Sequence, residues 1–477
     1  MADVDLMVGT TDWRSIYLAT IMSACSNLQF SLLFPSMWPF LKIVDHDVTE
    51  QFFGLIFAAY SLTGCLSSPL FGYWSNRSKQ IRRPMYAGLA AMIVGNILYF
   101  CTEMFPAHRR FVLLVACCFM GIGSGNSPLL RSYASTSCLP HDRALALAYL
   151  NIGISIAVGL GPGLQILLTF LGYPGIPIAK TLSLNNFTVA ALTALLVNVV
   201  CGLLLRFCFQ ETYNGVVEEE KEIRLPTPDR VAVGVCFLTF FAEQFFFSNL
   251  DLTSASFALV VFAFTNQETV RYGSIAQAIL GLVAFITYST YIAFKLVYLI
   301  RHRVVIILAL GLLFVFLVVT YPWYFIPGAL RTYSNHDLLN ATSELVGCNR
   351  DTYSWCDSMK PVNPWLFYIA FVVCLGVAIP YTENCLNTVY GQVLGRGGRE
   401  PMQGFLQVSG SMAQVVGPLL IGSIYANYGP KVVWQLEMLI LCATISTWVV
   451  FNRRMVELKF DSGENAFLVS ENGFIDQ

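Results

Sequence analysis

The 477-residue sequence is poor in charge. Asp, Glu, Lys and Arg together make up only 12% of it, against about a quarter in a soluble globular protein. That much polar sequence cannot clothe a water-soluble fold of this length, so soluble classes are excluded. Histidine is scarce as well: His46, His108, His141, His302 and His336 are the five, and all fall in loops between apolar runs. No run carries an HExxH pattern, a His-rich cluster or a serine beside a base. An integral-membrane enzyme is therefore set aside, and no cofactor or metal is expected. Neither sign of charge prevails. A net charge of -1 gives no reason to expect a nucleic-acid partner. The opening MADVDLMVGTTDWR also lacks the basic stretch of a cleavable signal peptide, so the first apolar run reads as an uncleaved anchor.

What the chain has instead is apolar sequence: 56% of residues are hydrophobic and the mean hydropathy is +0.62. Apolar runs fall at 15–41, 52–74, 85–102, 111–135, 144–171, 187–209, 231–253, 272–300, 304–322, 364–390, 403–425 and 432–452. Runs of about twenty residues span a bilayer as helices, so twelve spans are expected. A further apolar patch at 254–268 is either re-entrant or an extension of the seventh helix. The charged stretch QETYNGVVEEEKEIRLPTPDR, Gln210 to Arg230, splits the chain into two sets of six. The expected architecture is an all-α membrane protein of twelve transmembrane helices in two pseudo-symmetric six-helix bundles. Its parts are a tail 1–14, a first bundle 15–209, a linker 210–230, a second bundle 231–452 with a long loop 323–363, and a tail 453–477.

The bases set the orientation. With the N-terminus cytosolic, 19 of the 28 Lys and Arg residues fall on the cytosolic side. The positive-inside rule then places both termini there. The loop GYWSNRSKQIRRP, Gly72 to Pro84, is the densest cluster, with Arg77, Lys79, Arg82 and Arg83 and no acid. The loop 323–363 falls on the other side, in a lumen. It holds the glycosylation sequon Asn340-Ala341-Thr342, and also Cys348 and Cys356. In an oxidising compartment a Cys348–Cys356 disulfide is expected, two free thiols being the alternative. Asn186 heads a second sequon but sits at the mouth of the sixth run, too close to the membrane for use.

The two halves echo each other. GLGPG (Gly159 to Gly163) and VGPLLIG (Val416 to Gly422) lie in the fifth run of each. Gly159, Gly161, Pro162, Gly417 and Pro418 are candidate helix hinges, and a packing kink is the plainer alternative. GIGSGN (Gly121 to Asn126) superficially suggests a nucleotide loop, but no strand precedes it. Gly121 and Gly125 read instead as a small-residue packing face.

Ionisable residues inside spans are costly and face a bundle interior. The candidates are Arg131, Glu243 and Glu383, with Asp251 near the end of the seventh run. Asn27, Gln29, Asn126 and Gln244 add polar groups to the candidate pathway. Glu243, near mid-membrane, suits a carboxylate that carries a proton between faces; a structural carboxylate bonded to a hydroxyl or amide is the alternative. Arg131 suits an anion site or a gate, or else snorkels to the interface. The simpler reading of Glu383 is a charge at a helix end.

The loop after the second run resembles the motif of the major facilitator superfamily: glycine, small or apolar residues, Asp, Arg, a spacer and further bases. Gly72, Arg77, Lys79, Arg82 and Arg83 match, and Asn76 stands where the family has Asp. In the family that Asp faces a helix N-terminus of the other half and latches the cytosolic gate. Asn keeps the hydrogen bond and loses the charge, which implies a weaker latch. MWPFLKIVD, AYSLTGCLSSPLFGYWSN, GIGSGN with LLRSYAS, and GSMAQVVGPLLIGSIYANYGP further resemble the lysosomal major facilitator superfamily domain-containing protein 8 family, that of the neuronal ceroid lipofuscinosis type 7 protein. Cys117 departs from the superfamily, many members of which carry Arg there. The resemblance implies a monomeric transporter of the endolysosomal membrane that moves a small molecule or an anion by alternating access. A chloride-conducting pore on the same scaffold, and a receptor or scaffold that transports nothing, are the competing readings. ENAFLV (Glu464 to Val469) approximates a sorting signal for adaptors, a plain tail being the alternative.

The topology is checked at Asn340. Enzymatic deglycosylation should shift the wild-type band on a gel, and Asn340→Gln should remove most of that shift. An unshifted wild-type band from secretory-competent cells contradicts the map.

Overall fold

A computed structural model describes residues 11–45, 48–138, 142–179, 182–211, 229–294, 296–334, 336–337, 345–394 and 399–455. The first ten residues, most of the linker, Asn340 with its sequon, and the tail with ENAFLV lie outside them. Among the described residues twelve helices are long and apolar enough to cross a membrane. Spans 1 to 6 are Trp13–Val44, Gln51–Ser78, Arg82–Met104, Arg109–Ala134, Leu145–Leu171 and Asn186–Phe207. Spans 7 to 12 are Arg230–Val260, Asn266–Ala293, His302–Thr320, Pro364–Leu394, Phe405–Tyr428 and Pro430–Arg454. The count is even, so span 1 begins and span 12 ends on one face, called here the terminal face. Ser15 and Tyr133 both donate to the Gln210 carbonyl there, at 3.1 and 3.4 Å, and Arg303 donates to the Asn452 carbonyl at 3.1 Å.

Local chemistry sets where spans begin. Asn185 accepts from the Thr188 amide while its own amide donates to Thr188 Oγ1, a capping box that opens span 6. Thr265 and Glu268 do the same for span 8. Asn363 caps span 10 ahead of Pro364, whose missing N–H costs nothing at a helix start. The Thr265 box also resolves the patch 254–268. Span 7 runs on to Val260, and span 8 begins at Asn266, six residues before the expected 272. Polar residues in that first turn had hidden the start.

On the opposite, far face two short sheets brace the loops. Ile176–Ala179 pairs antiparallel with Leu182–Leu184, and Thr332–Tyr333 pairs parallel with Cys348–Asn349. Cys348 and Cys356 form a disulfide with Cα atoms 5.8 Å apart. Asn186 is the first helical residue of span 6 and half-buried.

The Gly-Pro elements act through packing. Spans 5 and 11 stay helical through Pro162 and Pro418. Gly159 of span 5 lies against Gly281 of span 8, so close that a Cβ on Gly281 would run into the Gly159 backbone. A Cβ on Gly54 of span 2 would meet the Pro418 carbonyl oxygen at 2.6 Å. Gly161 packs on Ser31 and Leu32, and Gly417 on Asn249. Close backbone approach within continuous helices is what these residues provide. Both cross-half approaches, 159 to 281 and 54 to 418, lie in the middle and far part of the spans. Gly121 and Gly125 pack on span 2, against Thr63 and Ser67.

The Gly159–Gly281 approach can be probed directly. Gly281→Val should lower the melting midpoint, since overpacking of this kind costs about 1–3 kcal/mol. Gly163→Val, where a Cβ meets nothing within 4 Å, should leave it near wild type. Equal midpoints for the two variants would show that the contact is not tight.

Candidate functional site

Between the halves lies a cavity of about 350 Å³ lined by both. Its charged side chains come from spans 4, 7 and 10. Arg131 sits in the second segment of span 4, Asn126–Ser137, which resumes after a break at Gly125. Its Nη2 makes an ion pair with Glu383 Oε1 of span 10 at 2.9 Å. The same Nη2 donates to Asn151 Oδ1 of span 5 at 3.2 Å. Tyr288 of span 8 donates to the other Glu383 oxygen at 2.8 Å. Asn151 Nδ2 donates to Asn384 Oδ1 at 3.4 Å. This network joins the two halves through side chains alone, with Arg131 and Asn151 on one and Tyr288, Glu383 and Asn384 on the other.

Glu243 of span 7 lines the same cavity and is 1% exposed. Neither of its carboxylate oxygens has a hydrogen-bond partner among the described residues. Buried polar groups are nearly always paired, so this carboxylate stands out from its surroundings. Gln244 beside it accepts from Gln414 of span 11 at 2.8 Å. Asn27 lines the cavity too, and donates to the Ser23 carbonyl of its own helix at 2.8 Å. Toward the far face the cavity narrows on aromatic rings. Phe34 stacks on Phe30 with centroids 4.3 Å apart, and packs edge-on against Phe57 and Tyr60 at 4.7 and 5.0 Å.

Two expected pathway residues belong elsewhere. Gln29 is buried between spans 1, 3 and 6, where its Oε1 accepts from Asn96 Nδ2 at 2.9 Å and Asn198 Nδ2 at 2.7 Å. Asn126 faces span 3, with its Nδ2 donating to the Met85 carbonyl at 3.2 Å and its amide against Gly88. Both are polar pins between helices of one half. Their polarity was readable, but not the side of the helix on which each lies. Glu383 stands in the cavity, not at a helix end, and Arg131 does not snorkel: its side chain is 23% exposed and turned to Glu383.

The loop motif also differs from its expected role. Asn76 is exposed near the end of span 2 and makes no hydrogen bond to the second half among the described residues. The motif works within its own half. Arg77 Nη1 donates to Tyr73 at 3.3 Å, Lys79 takes the left-handed C-cap of span 2, and the Arg82 amide that opens span 3 donates to Glu211 at 2.9 Å. The far-side backbone contacts hold the halves together away from this face, so nothing brings a helix of the second half to Asn76 in this conformation.

Several site residues escaped the sequence reading. Asp251, noted only as lying near the end of the seventh run, in fact lines the cavity, and span 7 continues about two turns past the expected end. Asn151, Tyr288, Asn384 and Gln414 complete the network. Asn151 and Ser155, four residues apart in an otherwise apolar run, were the available sign of a polar stripe. Glu437 of span 12 is also buried, at 3% exposed, but lies outside this cavity.

The cross-half ion pair has a thermodynamic signature. Removing one partner of a buried pair strands the other, and with both side chains partly exposed the cost should be about 1–3 kcal/mol. Arg131→Gln and Glu383→Gln should each lower the melting midpoint, and the double variant should lose less than their sum. Strict additivity would show that the pair contributes no coupling.

Comparison with known proteins fits this arrangement. A model of the Major Facilitator Superfamily matches residues 19–334. Over 468 aligned residues the chain is 26% identical to major facilitator superfamily domain-containing protein 8 of Xenopus laevis, covering 91% of this chain and 89% of that protein. The crystal structure of the human organic anion transporter MFSD10 (TETRAN) superposes with a TM-score of 0.62 at 17% identity, covering 92% of this chain and all of that one. A bacterial homologue of the human lysosomal transporter Spinster, in an inward-facing and occupied conformation, superposes with a TM-score of 0.57 at 15% identity over 94% and 98% of the two chains. The chain belongs to the Major Facilitator Superfamily.

Proposed function

We propose that the protein is a secondary carrier of a small anion in the endolysosomal membrane, working by alternating access with its terminal face toward the cytosol. The observation that carries the reading is Arg131, a guanidinium inside the spans whose charged partner, Glu383, belongs to the other half. An anion entering the cavity competes with Glu383 for that guanidinium, which binds carboxylate and phosphate groups through paired donors. Binding then loosens one side-chain tie between the halves and offers another through the solute. Asn151, Gln244, Gln414 and Tyr288 supply neutral hydrogen-bonding groups around it.

Glu243 provides the coupling. A buried carboxylate without partners has one inexpensive way to be neutral, which is to hold a proton. As the cavity faces each compartment in turn, Glu243 takes up and releases that proton. The backbone contacts of Gly54 with Pro418 and of Gly159 with Gly281, with the ring cluster around Phe34, favour a carrier over an open chloride pore, since they close the far side. The excess of bases in terminal-face loops supports a cytosolic terminal face. The resemblance to the lysosomal protein 8 family, and the 26% identity to its Xenopus laevis member, support the endolysosomal membrane.

Flux in proteoliposomes at two pH gradients, with matched protein, tests this. Glu243→Gln should keep anion exchange and lose its dependence on the pH gradient. Arg131→Gln should raise the half-saturating anion concentration about tenfold or more, with Arg131→Lys intermediate. A full pH response in Glu243→Gln makes that residue structural, and unchanged saturation in Arg131→Gln removes the anion site.

A further inference from the structure

Toward the far face a second compartment of about 60 Å³ adjoins the cavity, and Asp251 lines both. Most of its wall is apolar, including Phe34, Phe53 and Phe367. Ser31 of span 1 and Tyr368 of span 10 reach it, and its remaining polar groups lie on facing stripes of spans 7 and 8. These helices run antiparallel, and Gln277 Nε2 donates to Asp251 Oδ1 at 3.3 Å, which sets their register. Ser274 lies about 4.5 Å along span 8 from Gln277 by helix rise, toward the far face. It lines the compartment, is 0% exposed, and its hydroxyl has no hydrogen-bond partner among the described residues. Thr269, about 12 Å from Gln277 on the same stripe, repeats the pattern at 4% exposed.

Two costs meet here. A buried hydroxyl without a partner forfeits its desolvation energy. An intramembrane carboxylate needs a counter-charge, and no basic side chain lines this compartment. Tyr368 is its other ionisable group; Arg131, Glu243, Glu383, Tyr60, Cys65 and Tyr288 line the adjoining cavity. Arg131 is already engaged with Glu383. A cation removes both costs at once.

We infer that Asp251, Gln277 and Ser274 form a binding site for a monovalent cation. Asp251 supplies the charge and the Ser274 hydroxyl a neutral oxygen, and Gln277, whose amide donates to Asp251 in this conformation, turns its side-chain carbonyl to the ion, which completes the donor set of a hard cation. One carboxylate balances one positive charge, whereas a divalent ion would leave an unbalanced charge in a low-dielectric site. The volume admits an alkali ion with one water, whose share is about 30 Å³. Thr269 marks the route from the site toward the far face. Glu243 lies eight residues from Asp251, about 12 Å along span 7, on the side away from that route. The site does not depend on the carrier reading, because a cation would bind there whether or not a solute moves.

The test is the melting midpoint of the purified full-length protein in nanodiscs. NaCl, LiCl and KCl are each compared with choline chloride at equal chloride, at an acidic and a neutral pH. With an alkali ion as the ligand, the wild-type midpoint rises saturably with it. Ser274→Ala should then weaken the apparent affinity about tenfold, and Asp251→Asn should abolish the response. With a proton as the ligand, acidification alone raises the midpoint in a Glu243→Gln background, which removes the other buried carboxylate of the pathway, and adding Asp251→Asn abolishes the rise. If Asp251→Asn does not fold, Ser274→Ala decides. An alkali response unchanged in the variants overturns the site. So does the absence of any alkali response together with a pH response unaltered by substitution.

Discussion

A guanidinium inside a membrane must be paired, and in this protein the pairing crosses the boundary between two helix bundles. Arg131 of the first half meets Glu383 of the second at 2.9 Å. Desolvating either charge alone is expensive, so the relative placement of the halves carries an electrostatic cost that depends on their separation. The rest of the site follows from that constraint. Tyr288 orients the carboxylate, Asn151 orients the guanidinium, and Asn384 of the second half accepts from Asn151.

The two faces are built from different interactions. Toward the far face the halves meet through glycine and a proline carbonyl, which pack at short range and do not re-form gradually once separated. Toward the terminal face the bridging contacts described above are polar side chains that can exchange partners. A structure with rigid packing on one side and exchangeable bonds on the other is suited to rocking. Each carboxylate in the interior then has its own circumstances. Glu383 is paired with a base, Asp251 with an amide, and Glu243 with nothing among the described residues.

Much of the fold was legible in the sequence, because a bilayer imposes length and hydropathy on every span. The twelve spans, the division into halves and the special status of Arg131 and Glu243 all rest on that constraint. Boundaries were less legible where capping residues mimic a loop, as at Thr265 to Glu268. Facing was the main loss. Gln29 and Asn126 carry the same polarity as Asn27 and Gln244, yet they pin helices within one half. Which side of a helix meets the cavity is decided by close packing of small residues, such as Gly88 under Asn126. The inherited expectation for Asn76 is not met in this conformation for another reason: a latch between halves belongs to the state in which they meet on the terminal face, and here they meet on the other.

The central claim is that the halves move about the Arg131–Glu383 pair. It is tested most directly by distances between spin labels at the terminal-face ends of spans 2 and 11, at positions 73 and 405, where both native side chains are exposed. The labels are placed in a background whose free cysteines have been replaced. The account predicts two distance populations, with the shorter one gaining weight in Asn76→Asp and the balance shifting in Glu383→Gln. A single distance that neither substitution alters would contradict it.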